Sequence, residues 1–180
     1  MKLLWLDLET TGLNPRTDSI LEVAVSVAEL SAPFEAVPAL HRVIKFGHVF
    51  EDEFVREMHT ANGLAKETAS SSATSLRDVE KELVGLFSLT ETYFLAGFSV
   101  HFDHSFLNVD MPEFASCLSH RHYDVSSIKL FCQSLGMPPL PRGAGAHRAR
   151  GDVLEAIAHA KLCRDWLREY PHSQSLGLMG

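Results

Sequence analysis

Cysteine is scarce in this sequence, and the few cysteines form no disulfide or metal-binding pattern. There are three, Cys117, Cys132 and Cys163, which are far apart and include no C-x-x-C pair. Disulfide frameworks and structural zinc sites need several cysteines at short, regular spacing. The sequence therefore argues against both, and we expect three buried, unreactive thiols.

Long apolar runs are also missing. No stretch approaches the roughly 20 apolar residues that cross a bilayer. The apolar start, "LLWL", is stopped by Asp7, whereas a secretory signal needs an apolar core of about 7–15 residues. We therefore expect no membrane span and a cytoplasmic protein.

Basic residues are outnumbered by acidic ones. The chain has 16 Lys and Arg against 23 Asp and Glu, a net charge of −7. Proteins that grip long nucleic acids do so through a broad basic surface that displaces counterions. Because this composition does not supply such a surface, a nucleic-acid substrate should be short or held through metal ions.

The first half of the chain begins with strand-like segments. Apolar runs bounded by turn-rich segments predict three strands that would form an antiparallel meander: Lys2–Leu8, Ile20–Glu29 and His41–Phe46. Ser75, followed three residues later by Asp78, predicts the start of a helix that continues to about Leu89.

Strands and helices alternate in the second half. "YFLAGFS" predicts a buried strand, "HFDHSFLNVDM" a helix, and "YDVSSIKLFCQSLG" a strand followed by a helix. After the Pro- and Gly-rich "MPPLPRGAGAHRARG", a last helix is predicted from about Ala149 to Tyr170, with one buried face formed by Val153, Ile157, Ala160 and Leu167. These patterns predict a single α/β domain over residues 1–180, a mixed sheet flanked by helices, with a flexible tail of about eight residues.

Acidic residues stand at the ends of several predicted elements. Asp7 and Glu9 are two positions apart on the first strand, so both carboxylates should lie on one side, with Cα atoms roughly 7 Å apart. Asp103 follows a buried strand, and His147 and Asp152 flank the start of the last helix. Each has an ordinary explanation when taken singly: acids at a strand end, a first-turn acid favoured by the helix dipole, and a solvated helix start.

Gathered in one place, these acids would repel each other unless cations lay between them. Oxygen ligands select Mg²⁺ or Mn²⁺, and two such ions clamp the attacking and leaving oxygens of a phosphodiester. A neutral histidine nearby can accept the proton of the attacking water. A spacing of five rotates His147 by about 140° from Asp152 on an ideal helix, so we expect His147 in the preceding loop.

Separated motifs give the chain a resemblance to a known group of nucleases. "DLETTG", "HFD" and "HRARGD" occur in the order typical of the DEDDh 3′–5′ exonucleases. Longer segments, "LDLETTGLNPRTDSILEVA", "MHTANGL", "GFSVHFDHSFL" and "RHYDVSSIKLF", resemble oligoribonuclease along nearly the whole chain. The resemblance implies an RNase H-like fold with a mixed five-stranded sheet, two divalent cations, Mg²⁺ or Mn²⁺, and a homodimer. It also implies hydrolysis of very short oligonucleotides, dinucleotides above all, to 5′-mononucleotides.

The same resemblance implies roles for individual residues. Five positions match the catalytic set, which comprises four metal-binding carboxylates and one general base: Asp7, Glu9, Asp103, Asp152 and His147. Leu13 matches a leucine that wedges between two bases, and Phe54 stands where the family usually has a stacking tryptophan. Substrate contacts are implied at seven positions, of which the last three would cap the 5′-phosphate: Leu13, Thr10, Phe54, His59, Ser99, Arg121 and Ser126.

The chain also departs from the oligoribonuclease pattern at several positions. Thr10 replaces the usual Met, Phe98 the usual Asn, and Gly151 a common Asp. None of these changes removes a catalytic ligand. Thr10 and Phe98 are expected near the sugar and base, so they bear on the preference for RNA over DNA.

Other interpretations stand beside this hypothesis. A general 3′–5′ DNA exonuclease of the proofreading type shares the "DxETTG" form and would bind a long strand along an open cationic groove. A catalytically silent nucleotide-binding module would have no need of the five catalytic residues. Histidine pairs in "HFDH" and "SHRHY" suggest zinc but lack cysteine partners. An apolar run ending in D-x-E also resembles a strand of P-loop hydrolases, but that interpretation is weak because no G-x-x-x-x-G-K-[ST] occurs.

Overall fold

A five-stranded sheet with helices packed against it forms the centre of the molecule. The computed structural model describes residues 1–31, 35–48, 50–70, 72–87, 91–141, 143 and 147–170. The strands within these residues are β1 (Lys2–Thr10), β2 (Ile20–Glu29), β3 (Val37–Val43), β4 (Tyr93–Gly97) and β5 (Leu118–Asp124). The helices are α1 (Glu53–Ala61), α2 (Leu64–Thr68), α3 (Leu76–Gly85), α4 (His101–Asp110), α5 (Pro112–Ala115), α6 (Val125–Ser134) and α7 (Ala149–Glu169).

The sheet is mixed, with strand order β3-β2-β1-β4-β5. The first three strands pair antiparallel, as expected of a meander, whereas β4 pairs parallel with β1 and β5 pairs parallel with β4. Helices between the later strands make these parallel connections, because a parallel pair needs a crossover. The predicted mixed five-stranded sheet flanked by helices is confirmed.

Strand β1 occupies the middle of the sheet and is buried on both faces. Leu4 and Leu6 point into a core shared with α3 and α4, while Leu3 and Trp5 point into a second core against α7. A strand covered on both faces reads as a continuous apolar run, which is what "LLWL" is. This rigid central strand carries Asp7 and Glu9 to its carboxyl end.

Helix α7 packs along the sheet beside β1 and β2. Its residues Val153, Ile157 and Ala160 are buried, as predicted. Leu167, predicted on the same face, is 36% exposed, so that prediction is wrong. The C-terminal part of α7 packs instead through Cys163 and Trp166 in a cluster with residues of α6, which turns Leu167 outward.

Several boundaries differ from the sequence predictions. Strand β3 is Val37–Val43 rather than His41–Phe46, because its pairing with β2 ends at Val43. The next residue, Ile44, donates one more hydrogen bond to the Leu21 carbonyl oxygen and forms an isolated bridge with Thr74. Ser75 does cap α3, accepting a hydrogen bond from the Asp78 N–H, but the helix ends at Gly85. Its predicted last residues, 88 and 89, lie outside the described residues. Helices α1, α2 and α5 had no counterpart in the sequence predictions.

The remaining expectations concern the thiols, the tail and the membrane. Cys132 and Cys163 are buried and all three cysteines are free, although Cys117 is only partly buried. The predicted flexible tail lies outside the described residues, and the single-domain assignment stays a prediction. Among the residues described, no helix has both the length and the apolar composition that a membrane crossing requires.

Candidate active site

Asp7 and Glu9 project from the carboxyl end of β1 toward the same place, as their spacing predicts. Oxygen atoms of Asp7, Glu9 and Asp152 all lie within 4.8 Å of one another. Glu9 is 8% exposed, and Asp7 and Asp152 are half-buried. Within the described ranges this is the one group of three or more metal-ligating side chains at such distances. The site is thus built from a central strand and the last helix.

His147 and Asp152 stand on either side of the start of α7. Arg148 is the N-cap of this helix, Asp152 lies in its first turn, and His147 precedes the cap in the loop. This agrees with the expectation from their spacing. His147 has a positive φ of 42°, a backbone conformation that L residues rarely adopt.

Asp103 reaches the site from the first turn of α4. It is 3% exposed, and its Oδ1 accepts a hydrogen bond of 3.0 Å from the Leu8 N–H of β1. Asp103 is not part of the close group of three acids, but it lines the same cavity of about 290 Å³. The residues around this cavity comprise all five predicted catalytic residues and their neighbours: Asp7, Leu8, Glu9, Phe98, Ser99, Phe102, Asp103, His147 and Asp152.

The carboxyl groups of the cavity hold their protons more tightly than free carboxyl groups do. Burial, followed by repulsion from Asp152 and Glu22, raises the pKa of Glu9 to about 8. Burial likewise raises the pKa of Asp103 to about 7, although the hydrogen bond from the Leu8 N–H acts to lower that pKa. The pKa values of Asp7 and Asp152 are raised as well, chiefly by burial.

Such a cluster suits divalent cations. Carboxylates that repel each other in a partly buried site are stabilised when a positive charge lies between them. Their oxygen atoms are the ligands that Mg²⁺ and Mn²⁺ prefer. The donor set of Asp7, Glu9 and Asp152, with Asp103 nearby, therefore fits the metals expected from the sequence.

An apolar cavity of about 290 Å³ adjoins the acids. Leu13 and Phe54 line it and are strongly exposed, at 83% and 73%, and Thr10 lies at its inner end. Glu9 lines both this cavity and the acidic one. Exposed apolar side chains beside a carboxylate cluster can hold a base next to a bound phosphate.

A third cavity, of about 340 Å³, shares His147 and Asp152 with the acidic cavity. Ser126, Phe98 and Lys129 line it, and the Lys129 Nζ is 5.2 Å from the centre of the Phe98 ring. The Ser126 hydroxyl accepts a hydrogen bond of 3.1 Å from the Ser99 N–H, and the two hydroxyl oxygens are 3.2 Å apart. The two serines expected to cap a phosphate are thus adjacent.

The other two predicted substrate residues are placed differently. Arg121 is exposed on β5, five residues before Ser126. His59 is completely buried, with its Nε2 3.1 Å from the Thr10 carbonyl oxygen and 3.9 Å from Glu9 Oε2. It supports the strand end that carries Glu9, and a contact with substrate stays a prediction for both residues.

Sequence reasoning missed two charged residues beside the site. Glu22 of β2 is completely buried and lies opposite Glu9 in the register of the two strands. Arg148 forms an ion pair with Glu22. The signal was a lone acid within the apolar run "ILEVAVSVA", because a buried acid requires a partner. Nothing local in the sequence indicated that the partner would be Arg148.

Comparisons with known proteins agree with this geometry. The model of the Exonuclease family matches residues 4–159. Oligoribonuclease of Neisseria meningitidis serogroup A is 30% identical over 171 residues, which cover 91% of this chain and 90% of the relative. Oligoribonuclease of Arabidopsis thaliana is 33% identical over 167 residues, covering 88% of this chain and 75% of the relative.

Solved structures show the same fold. E. coli exonuclease I in complex with an oligonucleotide superposes with a TM-score of 0.68 at 15% identity over 91% of this chain. A product-bound exonuclease I gives a TM-score of 0.71 at 14% identity over 93% of this chain. This chain spans 40% and 44% of the length of those two proteins. The fold, the sequence similarity and the family model agree that this chain belongs to the Exonuclease family, as an oligoribonuclease-like member.

Proposed function

We propose that this protein is a metal-dependent 3′–5′ exonuclease that hydrolyses very short oligonucleotides, preferably dinucleotides, to 5′-mononucleotides. The observation that carries the proposal is the cavity where Asp7, Glu9 and Asp152 bring their oxygen atoms within 4.8 Å, with His147 on its wall. Family membership supports the reaction, and the two neighbouring cavities support the short substrate.

Four carboxylates would hold two divalent cations, Mg²⁺ or Mn²⁺: Asp7, Glu9, Asp103 and Asp152. When bound, such ions stabilise the negative charge that develops on the attacking and leaving oxygens. Asp7 would contribute to the binding of both ions, since it lines the cavity together with Asp103 of α4 and Asp152 of α7. Glu9 and Asp152 would help to hold the ion that activates the attacking water.

His147 is the group we assign as general base. It lines the acidic cavity and is exposed, so its imidazole can meet a water molecule at the edge of the carboxylate cluster. A neutral imidazole would accept the proton of the water as the water attacks the phosphorus of the 3′-terminal phosphodiester. The bond to the 3′-oxygen then breaks and releases a 5′-mononucleotide.

The preference for short substrates follows from what flanks the acids. One base would lie in the apolar cavity between Leu13 and Phe54, and the next nucleotide would extend toward Ser99 and Ser126. These serines, together with Arg121, would hold a terminal 5′-phosphate, which leaves no continuation for a longer strand. The net charge of −7 also disfavours a long polyanion.

The test is cleavage of 5′-labelled RNA and DNA, from two to about ten nucleotides long, with Mg²⁺ or Mn²⁺ and with EDTA as control. A steep fall in rate beyond the dinucleotide is expected. Equal or faster cleavage of the longer strands would instead favour a general exonuclease of the proofreading type. Nucleotide binding without any cleavage would favour the catalytically silent module.

We further propose that the protein acts as a homodimer in the cytoplasm. Leu130 and Phe131 of α6 are 67% and 57% exposed, a few residues after Ser126, and such apolar surface is typical of subunit contacts. Sedimentation of the wild type should give a dimer, and Leu130→Glu or Phe131→Glu should give a monomer. A wild-type monomer at assay concentrations would contradict the proposal.

A further inference from the structure

The position of His147 is set by its backbone and its neighbours in the chain. Its φ of 42° places it in the left-handed region, where a non-glycine residue stays only when the surroundings hold it. Its carbonyl oxygen accepts a hydrogen bond of 2.7 Å from Asn62 Nδ2, beyond the end of α1. The loop that presents His147 is therefore tied on the α1 side.

Arg148, the next residue, is tied on two other sides. Its Nε and Nη2 donate to Glu22, with donor–acceptor distances of 2.8 to 3.1 Å. Its Nη1 and Nη2 donate to the two carboxylate oxygens of Glu67 at 3.0 and 2.8 Å. One guanidinium thus bridges a carboxylate from β2 and another from α2.

Glu22 anchors this arrangement within the sheet. It is completely buried, and besides Arg148 it contacts His41 Nε2 at 2.7 Å and accepts a hydrogen bond of 3.0 Å from the Ala149 N–H. Burial raises the pKa of Glu22, but the hydrogen bonds from Arg148, His41 and Ala149 outweigh burial and hold that pKa below its ordinary value. The buried group is therefore an ionised carboxylate with its charge paired.

The register of the sheet connects this anchor to the catalytic cluster. Glu22 lies directly opposite Glu9 in the β1–β2 pair, so the start of α7 is fixed relative to the strand that carries the metal-binding acids. The same hydrogen bonds hold Arg148, the N-cap of α7, and so restrain His147, the residue before that cap. The segment of His147 and Arg148 is therefore held by hydrogen bonds with β2, with α2 and with the end of α1.

We propose that Arg148, held between Glu22 and Glu67, is a positioning residue that fixes His147 against the acidic cavity, with Asn62 as a second tie. The inference rests on the proposed function of His147 as general base. Arginine suits this position because its planar guanidinium hydrogen-bonds both oxygens of each carboxylate, whereas a lysine ammonium has only three donors and no fixed planar geometry. A small displacement of a general base is costly in rate, on the order of 10²-fold for about 1 Å.

The first test uses Arg148→Lys, which keeps the positive charge beside buried Glu22, and Glu67→Gln, which changes a half-exposed partner. Both should lower kcat on a dinucleotide, Arg148→Lys by about 10- to 100-fold, with KM and the half-saturating Mn²⁺ concentration within about twofold of wild type. Arg150→Ala, which removes an exposed charge two residues further on, serves as control and should leave all three values unchanged.

Combining these changes with His147→Ala separates positioning from a general loss of structure. If Arg148 acts through His147, then Arg148→Lys should change the residual rate of His147→Ala less than about twofold, because residues that act as one unit are not additive. An equal loss in both backgrounds would overturn the proposal. An unchanged kcat in Arg148→Lys would also overturn the proposal. A shifted Mn²⁺ requirement would do so too, because the substitution would then act on Asp152 rather than on His147.

A measurement without turnover keeps the inference separate from the proposed activity. The Ala149 N–H donates to Glu22, so its hydrogen exchange in the full chain reports whether the loop is held. Arg148→Lys should accelerate this exchange about tenfold, and Arg150→Ala should not. If the wild type failed to cleave dinucleotides, the proposed function would be wrong, and exchange unaffected by Arg148→Lys would refute the positioning role by itself.

Discussion

Divalent cations should stabilise this protein strongly at alkaline pH and hardly at all at acid pH. The reason lies in the four carboxyl groups of the cavity, two of them buried and two half-buried, whose raised pKa values mean that the folded protein binds protons more tightly than the unfolded chain does. Without cations, the contribution of these four groups to the free energy of unfolding is therefore fully present at low pH and is lost as the pH rises through the folded-state pKa values. For Glu9 this window runs from 4.5 to about 8, and for Asp103 from 3.8 to about 7.

The size of the effect can be worked out from Glu9. A rise in pKa from 4.5 to about 8 corresponds to roughly 5 kcal/mol, at about 1.4 kcal/mol per pKa unit. This is a ceiling, because a real cluster relaxes and attracts counterions, and a loss of a few kcal/mol between about pH 5 and pH 8 is expected. A cation at about 100 times its dissociation constant restores about 2.7 kcal/mol at the alkaline end.

Thermal unfolding followed by circular dichroism measures both effects. At about 2–4 °C per kcal/mol for a domain of this size, saturating Mg²⁺ should raise Tm by about 5–10 °C at pH 8. At pH 5.5 the rise should nearly vanish, since the cation must displace protons from Glu9 and its neighbours. Glu9→Gln should abolish the cation effect, whereas Glu29→Gln, an exposed acid of the neighbouring strand, should retain it.

An equal rise in Tm at pH 5.5 and at pH 8 would refute this reasoning, because the cation would then bind somewhere other than the protonated cluster. A cation-free protein that became more stable between pH 5 and pH 8 would refute the raised pKa values themselves. In that case the acids would already be compensated by a partner other than a metal ion.

Three further predictions concern the separate parts of the site. His147→Ala should lower kcat by about 10²- to 10⁴-fold and retain the cation-dependent rise in Tm, since the base binds no metal. Asp152→Asn should lose both the cation-dependent rise in Tm and the activity. If a higher Mn²⁺ concentration restored full activity, metal binding would be the only role of Asp152. Leu13→Ala and Phe54→Ala should raise KM for a dinucleotide about 5- to 150-fold, as expected from a loss of about 1–3 kcal/mol of base contact, and unchanged KM values would move the base to another cavity.

The convergence of the acidic residues could be predicted from sequence in part because it follows from simple periodicities. Alternation along an extended strand puts Asp7 and Glu9 on one side, and helical rotation puts His147 outside the helix that carries Asp152. Both predictions are confirmed by the geometry. Family motifs brought Asp103 into the same set, although its position within the first turn of α4 had an ordinary explanation.

The support of the cluster could not be predicted, since it depends on contacts between distant parts of the chain. Glu22 and Arg148 are 126 positions apart, and only the pairing of β2 with β1 and the docking of α7 bring them together. The limits of β3 were missed for a related reason, because pairing with β2 rather than local composition decides where that strand ends. Strand propensity alone does not contain this information.

The acidic cluster joins a carboxylate of β1 to one of α7, elements at positions 7 and 152 of the sequence. During synthesis the early strand leaves the ribosome long before the late helix, at about 5–20 residues per second. A growing chain therefore carries Asp7 and Glu9 for several seconds without Asp152 or His147. The group of three acids is therefore complete only after α7 has been synthesised and has docked on the sheet.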